Sequence, residues 1–368
     1  MKNEKVFKDI ESIVELVDSI ISNAYHRKAS DIHIDPTKQS IIVRFRIDGT
    51  LSYIDSLSID IYEELISRIK ILSGLRTDIH FISQDGRFRF SYGICECDIR
   101  VSIAPTHHGE NAVLRLLVSD NERHDLESLG FSEYDIERIS SSLLRHQGMI
   151  LITGPTGSGK TSTLYTLLKV LSKEQTSIVT LEDPIEYDIA GIRQIQIREN
   201  HGITFANGLR SIVRQDPDII MVGEIRDKET AQIATNISLT GHILLSTLHT
   251  NSAIGVIPRL IDMGVDPYLI ASTLSLVVAQ RLVRKICKEC SSLGCQACNK
   301  SGYRGRTVVS ETLLIDEELR KYIMSRISLG EIIRYAKISG MITMYEDGME
   351  KVEKGITTKE EILRVLHE

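Results

Sequence analysis

No stretch of this 368-residue chain carries the ~20 consecutive apolar residues that a membrane-spanning helix needs. The longest candidate, Leu269 to Ala279, is short and interrupted by Ser and Thr. A secretory leader is lacking as well, because Met1-Lys2-Asn3-Glu4-Lys5 runs into an amphipathic pattern rather than an apolar segment. Both absences predict a protein that stays where it is made. Excess positive charge is missing too: the formal net charge of −6 argues against a surface built mainly to hold nucleic acid and leaves room for a local basic patch. Tryptophan is absent, which excludes nothing. Six cysteines without a leader point to metal ligands or buried thiols rather than disulfides. What remains, 42% hydrophobic and 26% charged, is an ordinary soluble composition with length for two domains.

The most informative stretch is Gly154-Pro155-Thr156-Gly157-Ser158-Gly159-Lys160-Thr161, which follows the apolar run Met149 to Ile152 and precedes a helix-compatible segment from Ser162 to Leu171. This is G-x-x-x-x-G-K-T between strand and helix. The glycines let the backbone wrap a phosphate group, so that successive N–H groups and the helix N-terminus point at one anion. Lys160 adds a mobile charge at the β/γ-phosphates, and Thr161 offers a hydroxyl to Mg²⁺. ATP is favoured over GTP because no guanine-reading motif is present.

Before this loop, Ile13, Val14, Val17, Ile20, Ile21 and Ala24 recur at helical spacing. Ile41, Val43, Phe45 and Ile47 then share one strand face, Arg44 and Arg46 the other, and Asp48-Gly49 reads as a hairpin turn. A helix over Ile61 to Leu75, a strand and turn region opening at Gln84, and strands over Cys97 to Ile103 and Ala112 to Val118 complete a small α+β domain. Arg100 and Arg115 lie in its last strands, and Cys95 and Cys97 read as a buried pair on one face. The polar segment from Ser119 to Asp125 reads as a linker, followed by a helix over Ser132 to His146. After the glycine-rich loop come three β-rich runs, Ser177 to Leu181, Pro217 to Gly223 and His242 to Leu248, separated by helical stretches. This alternation predicts a mostly parallel sheet with ligands at the carboxyl ends of its strands.

Those runs end at Glu182, with Glu186 close behind, at Glu224 and at His249. If all flank the loop, one carboxylate supports Mg²⁺, a second orients the attacking water, and His249 reports the γ-phosphate. Arg100 and Arg115 are suitable donors for neutralising phosphate charge. Taken singly, each carboxylate also fits a helix cap, His249 a structural histidine, and the arginines a solvated sheet face. Their joint occurrence favours the catalytic reading. Finally, Cys287, Cys290, Cys295 and Cys298 form two C-x-x-C pairs four residues apart. This suits tetrahedral Zn²⁺, with free thiols or a redox pair as the alternatives, and the short spacing predicts strain.

Together these motifs resemble the hexameric secretion ATPases that power type II secretion, type IV pilus assembly and DNA-uptake pseudopili. The resemblance covers nearly the whole chain. Ala29 to Ile34 with Val43 to Gly49 is similar to the start of the family's second N-terminal domain, Thr180 to Glu186 to its Asp box, and Arg214 to Asp227 to its Walker B region. Leu239 to Asn251 is similar to its His box, and Ala279 to Arg284 with Gly302 to Arg306 brackets the cysteines as in the family. The resemblance implies a RecA-like ATPase domain with a mostly parallel sheet over 128–368, preceded by a PAS-like α+β domain over 1–118 and a linker over 119–127. Within the larger domain it implies a four-cysteine insert at 287–298 and a C-terminal helical region at 308–368. Gly154 through Ser162 would hold ATP, Glu182 would orient water, and Glu224 would be the Walker B acid. Arg100, Arg115, Arg210 and Arg214 would complete the site as the domains close. The implied assembly is a cytoplasmic homo-hexamer at the inner face of the cell membrane, turning an inner-membrane platform protein without contacting nucleic acid. The chain starts at the second N-terminal domain and has a shortened cysteine insert, which brings it closest to the short assembly ATPases of competence pseudopili. Retraction ATPases resemble it less, as they lack the four cysteines. A zinc-bearing nucleic-acid-binding ATPase and a non-hydrolysing nucleotide-binding ring are the competing readings.

Overall fold

The computed structural model describes residues 6–7, 12–93, 95–117, 125–172 and 174–366. The chain separates into two compact units, Met1–Glu122 and Arg123–Glu368. The linker expected over 119–127 lies outside the described residues except for its last three, where Asp125 caps the helix α3 (Leu126–Leu129).

In the first unit α1 (Ile13–His26) is capped by Ser12 and buries Leu16, Val17, Ile20, Ile21 and Ala24, while Val14, at the margin of that stripe, is exposed. Next come β1 (Ala29–Pro36), β2 (Ser40–Ile47), β3 (Thr50–Ser58), α2 (Tyr62–Leu72), β4 (Gln84–Tyr92), β5 (Cys95–Thr106) and β6 (Gly109–Leu117). The strands form one antiparallel sheet in the order β3-β2-β1-β6-β5-β4. Asp48 and Gly49 both take left-handed conformations, φ 48° and 83°, which is what a two-residue hairpin matched to strand twist requires. Ile41, Val43 and Phe45 are buried with both helices in one core, and Cys95 and Cys97 join that core. The other face carries a transverse row in register: Arg46 opposite Asp31, Asp31 opposite Arg115, Arg115 opposite Arg100, and Arg100 opposite Arg87.

A buried ion pair ties α2 to β6. Lys70 Nζ lies 2.7 Å from Glu110 Oε1, with both residues buried, and donates to the Ile79 carbonyl. Glu110→Ala strands the ammonium inside the core and is expected to cost about 3–5 kcal/mol. Denaturant unfolding of the full chain checks this: a loss below about 1 kcal/mol means that Lys70 regains solvent or another partner.

In the second unit α4 (Glu133–Leu143) precedes β7 (Gly148–Thr153) and α5 (Lys160–Leu171). After these come β8 (Ile178–Glu182), β9 (Arg193–Gln196), α6 (Phe205–Ile212), β10 (Ile219–Val222), α7 (Lys228–Ile237) and β11 (Ile243–Leu248). α8 (Val256–Asp262), α9 (Pro267–Thr273), β12 (Leu274–Ile286) and β13 (Tyr303–Leu314) lead to α10 (Glu317–Met324), α11 (Leu329–Ile338), α12 (Met344–Glu353) and α13 (Lys359–Leu366). The sheet order is β13-β12-β7-β11-β10-β8-β9, parallel except for β13. Both faces are covered. Met149, Leu151, Val179, Leu181, Ile220, Val222 and Leu244 enter one core, and Ile150, Ile152, Ile178, Met221 and Leu245 enter the other. Continuous apolar strands are what a doubly covered parallel sheet demands.

One expectation is corrected by the structure. The C-terminal region read as helical from residue 308 is strand up to Leu314, because β13 returns antiparallel to β12 and buries Val308, Val309 and Leu313. The apolar run Leu269 to Ala279 is two elements, the end of α9 and the start of β12. No helix among the described residues is long and apolar enough to cross a membrane.

Candidate functional site

β7 ends at Thr153, and the chain turns through the glycine-rich loop into α5, whose first residue is Lys160. Gly159, at the helix N-cap, has φ 89°, and a Cβ on Gly154 would lie 2.5 Å from the Gln280 carbonyl oxygen, so both positions require glycine. The loop is braced from two sides. Gln280 Nε2, on β12, donates to Ser158 O at 2.8 Å while its Oε1 accepts from Thr163 Oγ1 at 3.0 Å. Thr153 Oγ1 donates to Leu248 O at 2.7 Å and accepts from Thr250 N at 2.8 Å, which holds the end of β11 against the end of β7. Lys160 Nζ donates to Gly154 O and Pro155 O at 2.8 and 2.9 Å. Burial lowers its pKa to about 8, with Glu224 pulling it back up and Arg281 pushing it further down. Ser158 Oγ is buried without a hydrogen-bond partner among the described residues. Pro155, Thr156, Gly157, Thr161 and Ser162 are exposed along the loop. The loop therefore fits a polyphosphate, and Thr161 at the start of α5 can meet its Mg²⁺.

Neighbouring strands sit ~4.8 Å apart, so the sheet order places the end of β11 beside the loop strand, β10 second and β8 third. Glu224 follows β10 and gathers the charged groups. Its Oε1 lies 2.5 Å from Arg226 Nη2, its Oε2 3.5 Å from His249 Nε2, and its charge acts on Lys160. Glu224 and His249 thus meet at the strand ends, and the charge of Glu224 reaches Lys160. Glu182 has other surroundings. It is 3% exposed, and its carboxylate accepts from Tyr165 Oη, from Thr180 Oγ1 at 2.5 Å and from Gln194 Nε2 at 3.0 Å, none of them in the phosphate loop. Glu186, four residues on, is partly exposed. Arg210 pairs with Glu229 at 2.6 Å, and Arg214 donates to Arg210 O and Ser211 Oγ. Arg100 and Arg115 belong to the first unit, opposite one another on β5 and β6. Like charges in that relation repel, and for Arg115 the repulsion is offset by Asp31, 3.0 Å from its Nε.

Sequence reading assigned no role to Arg226 or Gln280. Arg226 stands two residues after Glu224, where only the fold turns its guanidinium onto that carboxylate and toward Asp183 at 3.7 Å. For Gln280 a signal existed: it is a lone polar residue closing the apolar run from Leu276.

The four cysteines sit beyond the sheet in the turn from β12 to β13. Sγ separations are 3.8 Å for Cys287–Cys295 and 3.7 Å for both Cys290–Cys298 and Cys295–Cys298, and all four sulfurs lie within 4.8 Å of one another. A tetrahedron of Zn–S bonds of ~2.3 Å has edges of about 3.8 Å, so the donor set fits one such ion. The strain expected from the short spacing is relieved locally. Each C-x-x-C pair is followed by two left-handed residues, Ser291 and Ser292, then Asn299 and Lys300, and Gly294 and Gly302 donate N–H bonds to Cys290 and Cys298. The N–H groups of Cys295 and Gly302 draw the Cys298 thiol down, whereas burial pushes the Cys290 thiol up, so Cys298 is the readier thiolate of the two.

A parallel sheet, a glycine-rich loop carrying lysine at a helix start, and a strand-end carboxylate whose charge acts on that lysine define a P-loop ATPase. Residues 6–364 match the family described as Type II/IV secretion system protein, and the chain belongs to that family. It is 44% identical to Type II secretion system protein E of Pseudomonas aeruginosa over 98% of this chain and 77% of that protein. It is 42% identical to Type IV pilus assembly ATPase PilB of Thermus thermophilus over 95% of this chain and 42% of that protein. Among solved structures, the pilus retraction motor PilT with bound ADP is 25% identical with a TM-score of 0.66, covering 95% of this chain and 96% of that one. The protein is an ATP-hydrolysing enzyme of the secretion and pilus ATPases.

Proposed function

We propose that this enzyme is a cytoplasmic ring motor, a homo-hexamer that drives assembly of a type IV pilus or a type II secretion or competence pseudopilus by turning an inner-membrane platform protein. The observation that carries the reading is Glu224, paired with His249 and acting on Lys160, beside a braced phosphate loop, in a chain similar over nearly its whole length to type II secretion and pilus assembly ATPases. Gly154 to Ser162 hold the triphosphate, and Thr161 and Glu224 hold Mg²⁺. Bound there, Mg²⁺ supplies charge neutralisation at the β- and γ-phosphate oxygens. Arg226 neutralises Glu224 and fixes its orientation. Arg100, Arg115, Arg210 and Arg214 supply further positive charge at the phosphates when the ring closes. The four cysteines hold a structural Zn²⁺.

The water-orienting carboxylate first assigned to Glu182 is better placed at Glu186. Glu182 already accepts three hydrogen bonds in a buried position, whereas Glu186 is partly exposed on the same turn. Glu186→Gln is expected to lower kcat about a hundredfold or more with little change in KM for ATP. An equal kcat for this variant and wild type returns the role to Glu182.

Steady-state hydrolysis across a protein concentration series tests the motor. A rate per subunit that climbs with concentration and responds to the cytoplasmic part of a platform protein supports it. Stimulation by single-stranded DNA alone moves the reading to a nucleic-acid-dependent ATPase.

A further inference from the structure

Tyr165 is fully buried in α5, one and a half turns after Lys160, and its hydroxyl faces the turn that follows β8. The phenol donates to Glu182 Oε2 and accepts from the backbone N–H of Glu186 at 3.2 Å. Its ring packs edge-on against Tyr187, with centroids 4.6 Å apart. Burial and the adjacent Glu182 carboxylate hold the phenol well above its ordinary pKa, so it remains a donor at any physiological pH. The turn is strapped from its other side by Gln194, whose Nε2 donates to Glu182 Oε1 and the Tyr187 carbonyl while its Oε1 accepts from Ile189 N at 2.8 Å. A single hydroxyl therefore links the helix that begins in the phosphate loop to both ends of the segment Glu182 to Glu186. Packing alone would be met by phenylalanine. The hydroxyl makes sense as a tie that moves the carboxylate turn with the loop helix.

We propose that Tyr165 is a positioning residue for ATP hydrolysis, coupling the phosphate-loop helix to the turn that carries Glu186. This rests on the reading of Glu186 as the water-orienting group. Without the tie, the turn keeps its side chains but loses register with the loop, and misplacement of about 1 Å at a reacting group costs up to a hundredfold in rate.

The test is Tyr165→Phe in the full chain, with Glu186→Gln and the double variant measured alongside. The expected result is a kcat at least tenfold below wild type, with KM for ATP and affinity for Mg-ADP within about twofold and a melting temperature within a few degrees. The double variant is expected to be no slower than Glu186→Gln alone, because the two residues act as a unit. A wild-type kcat for Tyr165→Phe overturns the proposal, as do additive losses in the double variant. A matching fall in nucleotide affinity and melting temperature overturns it too, since that pattern belongs to packing. If Glu186→Gln itself hydrolyses ATP at the wild-type rate, the underlying reading fails, whatever Tyr165→Phe does.

Discussion

Lys160→Ala is expected to lower ATP hydrolysis by about a thousandfold or more while leaving the fold intact. The ammonium is the cation of the loop itself, held 2.8 and 2.9 Å from two loop carbonyls and in the field of Glu224. Removing one preorganised donor from a transition-state charge costs about a hundred- to a thousandfold, and loss of the full charge at a triphosphate lies at or beyond the upper end. The side chain is only partly buried, so alanine opens no large cavity in either core. The same residue gives a pH signature. Burial depresses its pKa to about 8, so the free enzyme loses this charge as pH rises through 8, whereas bound phosphate favours the charged form. Affinity for a non-hydrolysable ATP analogue should then be flat below pH 7 and fall up to about tenfold per pH unit above 8. Isothermal titration at pH 6, 7, 8 and 9 checks both points. In Lys160→Ala the slope disappears. A flat profile in wild type shows that the lysine keeps its ordinary pKa in solution, and abundant hydrolysis by Lys160→Ala ends the nucleotide reading of the loop.

The second large effect concerns the cysteines. Wild-type protein purified under reducing conditions is expected to carry about one zinc per chain, and Cys287→Ser with Cys298→Ser to carry none. Both residues are buried, and their sulfurs belong to the same tetrahedral cluster. Structural zinc in small modules contributes on the order of 10 kcal/mol, and without it the 287–302 turn has little apolar core to hold it closed. Limited proteolysis should therefore cut between 288 and 301 in the variant and not in wild type, while β12 and β13 stay paired through Val283, Val308 and Val309 in the sheet. Elemental analysis and mass spectrometry of the fragments decide it. A metal-free wild type with an uncut turn assigns these groups to plain thiols.

The strands on both sides of the glycine-rich loop were legible because each is a short apolar run ending in polar residues, and the first unit because Ile41, Val43 and Phe45 alternate with arginines. β13 was missed, since Tyr303 to Leu314 pairs with a strand whose partner side cannot be read from periodicity. The surroundings of Glu182 show the same limit. Alternation along β8 puts Glu182 on the same face as Thr180, but whether that face meets solvent or Tyr165 depends on how α5 lies across the sheet.

Local chemistry is contained in the chain itself. The loop needs glycine at fixed offsets, phosphate needs a lysine at the helix start, and a tetrahedral ion needs four thiols, all within a few residues of one another. These were determined by the sequence alone. Contacts across long sequence separations were decided only by the tertiary structure: Gln280 on Ser158, 122 residues apart, Arg115 on Asp31, and the Tyr165 hydroxyl between two glutamates. The reason is geometric. Backbone periodicity says which way a side chain leaves its own strand or helix, whereas its partner is set by strand order and helix crossing, which arise from burying both faces of the sheet at once.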